Sequence, residues 1–575
     1  MNITKSFFPL TGIYLGSCYM NKNESIRTNV RAMPSMAYLT PYQRFVGHRS
    51  FRTSVNSSPE SDSDVTLPVT KHITAKEFIG LLPNTQGNTT ASDNTTTNGG
   101  RQLYKLVGWV RKTTENAEKT GTYIEVVDGT SPSHVSVVVW SSHPNYGMLR
   151  NVNVGDAITV IGMAEKKLLK TNLSATSLRL VVDGREEGHS VSLHPSFKDM
   201  RDLDPVGLNG IYPMTYLREH VNFRSRNAVM QAIFRIRSAV TEGLYHIMKK
   251  RSFINVTTPL LTTVNCEGMG DIFEVIPPNI GNNEGIDRTF LSVSGQLELE
   301  ALCSGFSRVW KLGPAFRADR SDTPRHLCEF WMLEAEMVGP DLKDLINVIH
   351  QIIIGSARTI LDNCRDDILL LERHFKTSII KRLETLVGTG SSGQDSLPRH
   401  LTDDPNYCEP QPIHTLEYKE ALSILNRAIE TDESYEHSKL EWGDQLSAAH
   451  ERSLLSILES PLVAVVQYPR AIAPFYMQQL DGGVVNNVDI FAEGVGEIAG
   501  GSIREVNYPE LEKSMQEHGV YGKDYAGYLE LRKFGNVPHG GFGIGFERMI
   551  MFLLGIQNIK DVIHFPKVRR KHYVE

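Results

Sequence analysis

No two of the six cysteines, Cys18, Cys266, Cys303, Cys328, Cys364 and Cys408, stand in a CxxC pair. Neither a zinc ribbon nor a disulfide framework is encoded at that spacing, so reduced thiols and no zinc site are expected. Long apolar runs are missing too. Stretches such as MIMFLLGI at 549–556 fall far short of a bilayer crossing and suit a buried helix, so no membrane partner is expected. Strong charge of either sign is also absent. The net value of -6 says little about partners, because a locally basic surface can sit on a mildly acidic protein and still bind phosphate. What remains is ordinary globular composition, 40% hydrophobic and 22% charged over 575 residues, enough for two or three domains with full cores.

Where the charges fall is more informative than their sum. In the first 54 residues Lys5, Lys22, Arg27, Arg31, Arg44, Arg49 and Arg52 face only Glu24, behind the apolar stretch FFPLTGIYLG. That is the composition of a leader for a mitochondrion or plastid; the plain alternative is a disordered tail on a cytoplasmic protein. Residues 55–70 and 84–100, the latter NTQGNTTASDNTTTNGG, carry too little apolar side chain to bury and read as linker and low-complexity insertion. Between them TAKEFIGLL is a short helix or strand belonging to the next domain.

From residue 101 the pattern changes to alternating segments, QLYKLVGWVRK, TYIEVVDGT, HVSVVVW, AITVIGMAE and SLRLVV, separated by Gly, Asp and Asn turns. Five such strands in about ninety residues predict a small barrel of the oligonucleotide-binding (OB) kind. Trp109, Arg111 and Tyr123, with Tyr104 and nearby lysines, either stack on unpaired bases or serve as barrel core and solvated surface.

Beyond the polar stretch at 194–220, Val229, Ile233, Ile236, Val240, Leu244 and Ile247 recur at helical spacing, which predicts a long amphipathic helix running into a β-branched strand that ends at Pro259. Strands and helices then mix in an α+β manner, interrupted by a polar segment at 388–412 that reads as a surface insertion. The expected organisation is 1–75 leader and linker, 76–190 barrel, 191–225 hinge, and 226–575 α+β domain.

Residues 316–337, FRADRSDTPRHLCEFWMLEAEM, place cations at both ends of a polar loop between apolar segments. Like charges brought together by a hairpin repel unless an anion lies between them. With the long helix and Pro259, with DIFAEGVGEIAGGSIRE at 489–505 and GGFGIGFERMIM at 540–551, this loop completes an ordered set. The chain resembles the class II aminoacyl-tRNA synthetases, whose signatures are a helix and strand ending in Pro, an fRxE strand-loop-strand and a GxGxxxER strand-helix. Within the class, VNCEGMGDIFEV, LSVSGQLELEAL, EWGDQLSAAHER and the segments above resemble the asparaginyl-tRNA synthetase family over roughly 100–570. The resemblance implies an OB barrel that reads the anticodon, followed by an antiparallel sheet flanked by helices. It also implies ATP as substrate, Mg²⁺, asparagine and tRNA(Asn) as partners, and a homodimer.

The resemblance further implies roles, residue by residue. Arg317 would bind the α-phosphate and the attacking carboxylate, Arg325, His326 and Arg548 the γ-phosphate, and Asp319 the adenine, although the family usually has Glu there. Phe316 would lie near the adenine plane, with Phe542 beside it, while Leu327, Gly545, Phe546 and Glu547 complete the ATP site and Gly541, Gly543 and Gly545 let backbone approach the nucleotide. Asp489 and Glu497 are the matching metal carboxylates. Glu267, Ser294 and Gln296 would hold the substrate's α-amino group. Arg317, Glu497, Arg504 and Arg548 form the catalytic set.

Side-chain selection separates this family from its aspartyl relative, which supplies a Lys in an SPQLYK-like stretch. This chain reads SGQLEL, so Leu299 stands at that position. An amide offers one acceptor and one donor, so Arg504 would meet its carbonyl and either Glu298 or Glu300 its NH₂. Ile503 replaces a Gln that the family usually carries beside that Arg. Rival readings are an aspartyl enzyme, against which Leu299 stands; a silent RNA-binding relative, against which Arg317, Glu497, Arg504 and Arg548 stand; and an ammonia-dependent asparagine synthetase, which lacks a barrel.

Overall fold

The computed structural model describes residues 70–81, 102–169, 172–194, 212–268, 270–276, 288–319, 323–388, 413–431, 438–570 and 573–574. The leader, the linker at 84–100 and nearly all of the insertion at 388–412 lie outside the described residues.

TAKEFIGLL resolves as a helix, α1 (Ala75–Ile79), begun by a capping box in which Thr74 and Glu77 satisfy each other's backbone N–H. Its Phe78 enters the core of the barrel. The barrel strands are β1 (Leu103–Glu115), β2 (Gly121–Val127), β3 (Val135–Trp140), β4 (Ala157–Leu169) and β5 (Asn172–Val182). They run β1-β2-β3-β5-β4, and pairing of β1 with β4 closes the ring. Alternation sends Leu106, Val110, Ile124 and Val126 inward, and a bulge between Val110 and Lys112 bends β1 as closure requires.

The long helix is α2 (Ala228–Lys250), capped by the Asn227 side chain, which accepts from the Val229 N–H. All six residues of the predicted stripe are buried. From α2, Arg235 reaches the barrel, donating to the Gly129 carbonyl at 2.6 Å while its fork holds Asp367. The strand expected up to Pro259 is shorter: β6 covers only Ile254–Asn255, parallel to its neighbour. Proline offers no N–H to a ladder, and the chain leaves the sheet before it.

Helix α3 (Gln296–Phe306) precedes the hairpin of β7 (Arg308–Phe316) and β8 (Glu329–Val338), and α4 (Leu342–Asn363) follows it. Then come β9 (His414–Glu417), β10 (Leu462–Val466), β11 (Asn487–Ala492), β12 (Gly496–Ile503), β13 (His539–Gly545) and α5 (Phe546–Leu554). The sheet order is β9-β10-β11-β12-β13-β8-β7-β6, antiparallel except at its two edges. Leu333, Ala335, Met337, Val488 and Ile490 pack one face onto α2 and α4. By the two-residue period of a strand, Glu334, Glu336 and Asp489 therefore stand on the other face. A sheet with a dry back and an acidic front is what positions the site.

Candidate functional site

A cleft of about 630 Å³ opens on that front face, lined from β8, β11, β12, β13 and the connection between β7 and β8. One end is rich in cations. Arg317, Arg325 and Arg548 all line it, with His326 and Leu327 from the same connection. Arg325 pairs with Glu451 at 2.6 Å, and Arg548 donates to the Glu497 carbonyl at 2.9 Å. Arg317 meets Glu267 at 2.5 Å, yet its Nε is buried with no acceptor among the described residues. A donor left without a partner in a cleft marks where a ligand atom belongs. Burial, then Arg548 and Arg325, push the His326 imidazole down to about 4, so it is neutral at pH 7.

Beside these cations sits a cluster of acids, Glu451 paired with Arg325 and Glu497 near Arg548, with Asp489 next to them. Asp489 is held well above the usual carboxylate range, first by burial and then by Glu497, with Glu451 adding to the effect. The Glu497 carboxylate has Arg548 3.5 Å away, while Asp489 faces that carboxylate from a buried position. Two neighbouring acids of which one is held protonated by the other are the electrostatic condition that a divalent ion relieves, so Asp489 and Glu497 fit Mg²⁺. A side chain at Gly500 would stand 3.3 Å from the Asp489 carboxylate, so glycine keeps that space open.

The other end is built around Arg504. Its Nε and Nη2 donate to the two oxygens of Glu336 at 3.0 and 2.9 Å, and its Nη1 to Ser502 at 2.8 Å. The Tyr476 ring lies 5.2 Å from its guanidinium. Gly541 makes this possible: it pairs with Glu336 across β13 and β8, and a Cβ there would run into the Glu336 carboxylate and the Ala335 carbonyl. Ser294 donates to Glu334, whose other oxygen takes Lys311 at 2.9 Å, and Gln296 reaches Glu300 at 3.0 Å. Leu299 lines the cleft among these groups.

Several expected residues are placed elsewhere. Glu298 is a correction: it lines a separate cavity with Thr262, Thr289 and Asp524. At 100° per residue, Gln296, Leu299 and Glu300 share one face of α3, and Glu298 points away. Glu300 is fully buried beneath the cleft, on Arg532, Tyr528 and His539, with Arg504 3.7 Å away. It lies beside Arg504 without lining the cleft, whereas Glu336 does line it.

Phe316 is a second correction. It does not line the cleft; Phe330, paired with Ala315 across the hairpin, does, 5.5 Å from the Arg317 guanidinium. Ala315 and Arg317 share a strand face that Phe316 does not. Phe542, Gly543 and Gly545 line the cleft as expected. Phe546 instead belongs to the core under the Arg237 guanidinium, 4.5 Å away. Glu547 reaches the cleft but is engaged structurally, by Arg237 at 2.8 Å and the Trp331 N–H at 2.9 Å. Asp319 is exposed at the rim.

In the barrel the three expected RNA contacts are not equivalent. The Trp109 ring lies 5.7 Å from the Arg226 guanidinium. Arg111 sits in the bulge, pushed down by burial. Tyr123 is half-buried on β2, four positions from the residue opposite Trp109.

A family profile described as tRNA synthetases class II (D, K and N) matches residues 214–569. The asparagine–tRNA ligase of Geobacter sulfurreducens is 33% identical over 483 residues, covering 80% of this chain and 94% of that one. The chain belongs to the asparaginyl branch of the class II tRNA synthetases. The probable mitochondrial asparagine–tRNA ligase of Dictyostelium discoideum is likewise 33% identical, over 478 residues, covering 81% of this chain and 93% of that protein. Among solved structures, asparaginyl-tRNA synthetase from Pyrococcus horikoshii complexed with asparaginyl-adenylate superposes with a TM-score of 0.65 at 25% identity, covering 82% of this chain and 95% of that one. Membership fits the closed barrel and the acid-faced sheet. No helix among the described residues is long and apolar enough to cross a membrane.

Proposed function

We propose that this chain activates asparagine with ATP, forming asparaginyl-adenylate and pyrophosphate, and then transfers the asparaginyl group to the 3' end of tRNA(Asn). The observation that carries the reading is the polarity of one cleft: three arginines at one end and a buried Arg504–Glu336 pair at the other. Adenylate formation requires a carboxylate to attack the α-phosphate, which brings two anions together while charge builds on the phosphorus oxygens. In this reading Arg317 takes both anions, and its unpartnered Nε is the donor available to them. Arg325, Arg548 and neutral His326 hold the outer phosphates, and Phe330 and Phe542 flank the base.

Asp489 and Glu497 would hold Mg²⁺, which when bound supplies positive charge for the triphosphate. Glu267, Ser294 and Gln296 would receive the substrate's ammonium. Arg504 donates to the amide carbonyl and Glu336 accepts from the NH₂. A second carboxylate in place of the amide would face Glu336 with Leu299, not a Lys, beside it, which disfavours aspartate.

The barrel is read as the anticodon-binding part, through Trp109, Arg111 and Tyr123. Exposed Ile254, Leu260 and Leu261 at the β6 edge support a homodimer there. The basic N-terminal segment is read as a mitochondrial or plastid leader, which an import assay on a fluorescent fusion tests. ATP–pyrophosphate exchange, run with asparagine and with aspartate and with Mg²⁺ added or chelated, tests the central claim. Mg²⁺-dependent exchange with asparagine alone is expected; exchange with aspartate at a similar rate overturns the selection argument.

A further inference from the structure

Beneath Arg504 lies a buried layer centred on Glu300, which does not itself line the cleft. The Glu300 carboxylate receives Arg532 at 2.6 Å, Tyr528 at 2.9 Å, His539 at 3.1 Å and Gln296 at 3.0 Å, and these bonds satisfy both of its oxygens. Burial raises the carboxyl, but Arg532, His539 and Arg504 together hold it below its ordinary range, so it is ionised. His539 faces acceptors on both sides: its Nδ1 lies 2.8 Å from the Val537 carbonyl and its Nε2 3.1 Å from ionised Glu300. A carbonyl oxygen and a carboxylate can only accept, so the setting favours donation from both ring nitrogens, the hydrogen-bonding pattern of an imidazolium. Burial opposes that charge, but Glu300 and Glu336 outweigh it and raise the imidazole above its ordinary value. The charged and titratable groups around the ring are Glu300 from α3, Glu336 from β8, Arg504 at the end of β12, and Tyr528 and Arg532 from the segment 526–533. Glu300, Glu336 and His539 together have the donor types of a metal site, but Arg504 and Arg532 already occupy the carboxylates.

We propose that His539 is a positioning residue for asparagine selection. As a charged donor it ties Glu300 down, so that the Arg504 fork stays on Glu336 and presents its remaining edge to the substrate amide. Arg504 is poised between the two acids, 2.9 Å from Glu336 and 3.7 Å from Glu300. When the imidazolium loses its proton, Glu300 has one cation fewer and draws Arg504 toward itself. The carbonyl of His539 accepts from the Arg504 backbone N–H at 3.0 Å, which ties the two residues to each other through their backbones. This inference rests on the asparagine-activating reading above.

The test is the pH profile of asparagine-dependent pyrophosphate exchange in the unaltered protein and in His539→Gln, which keeps a donor toward Glu300 but cannot carry the charge. In the unaltered protein KM for asparagine is expected to be low while the ring is charged and to rise as pH passes through its raised value, with kcat changed little. His539→Gln is expected to raise KM about tenfold at low pH, the scale of one charge-assisted hydrogen bond, and to lose that rise. Dividing one profile by the other removes the titration of the substrate's own amine. A variant that folds, with KM within twofold of the unaltered protein and the same profile, overturns the proposal. If His539→Gln does not fold, the unaltered protein decides alone: a KM for asparagine that does not vary from the ordinary imidazole range up to the highest pH at which the protein stays folded overturns it as well. No exchange with asparagine in the unaltered protein overturns the functional reading and this inference with it, whereas normal exchange with an unaltered profile overturns only the inference.

Discussion

Arg504 and Glu336 stand 168 residues apart in the chain and meet through two hydrogen bonds of 3.0 and 2.9 Å, both side chains buried. Such a pair is weak evidence for stability, because desolvating both charges cancels much of their attraction, but removing one partner leaves the other charge stranded. Glu336→Gln keeps the shape and removes the charge. Its kcat/KM for asparagine is expected to fall about 100-fold in pyrophosphate exchange, mostly through KM. A KM within threefold of the unaltered protein would show that the pair is scaffold and not the amide reader.

The Glu336 side chain fits where it does because residue 541 has none. Gly541→Ala places a methyl against the Glu336 carboxylate and the Ala335 carbonyl, and the latter is backbone that cannot step aside. Overpacking of this kind costs about 1–3 kcal/mol. Gly543→Ala meets only the terminal methyl of Met332, a flexible side chain, at 2.8 Å. Denaturant unfolding should therefore show a larger loss for Gly541→Ala than for Gly543→Ala, and equal losses would rule out this account of the strand.

Asp489 makes an opposite trade. Its carboxyl is raised by burial and by Glu497, so the folded state binds a proton that the unfolded state has already released, and stability falls as pH rises through the range between the two values. Asp489→Asn removes that penalty. In chelator at neutral pH the variant should melt higher than the unaltered protein, yet lose exchange activity. Added Mg²⁺ should raise the melting temperature of the unaltered protein and leave the variant where it is. A lower melting temperature for the variant in chelator would contradict the electrostatic argument.

What could be read from the sequence divides along the range of the interaction. The α2 stripe and the barrel strands follow from local periodicity, and every one of Val229, Ile233, Ile236, Val240, Leu244 and Ile247 is buried. The choice between Glu298 and Glu300 is local as well: SGQLELEAL as a helix puts Gln296 and Glu300 together and Glu298 opposite. The same two-residue reasoning on β7 favours Phe330 over Phe316 once the hairpin register is known. Glu336, Glu451, Arg532 and His539 carry no local signal of their roles. Each depends on which strand or helix lies beside it, and that pairing is fixed by contacts hundreds of residues apart.

His326 offers a measurement on the nucleotide end that needs no amino acid. Burial, Arg548 and Arg325 push it down to about 4 in the free cleft. The unfolded chain, with an ordinary imidazole, therefore binds more protons between about pH 4 and 6.5, and this residue's contribution to stability is lost as pH falls through that window. A triphosphate set between the arginines cancels their repulsion and lifts the imidazole back toward its ordinary value. ATP binding at about pH 5.5 should then take up protons, while binding at about pH 8 should not. Calorimetric titration in two buffers of different ionisation enthalpy reads the uptake directly. His326→Gln should abolish the difference between the two pH values, and persistence of the uptake in that variant would assign it to another group.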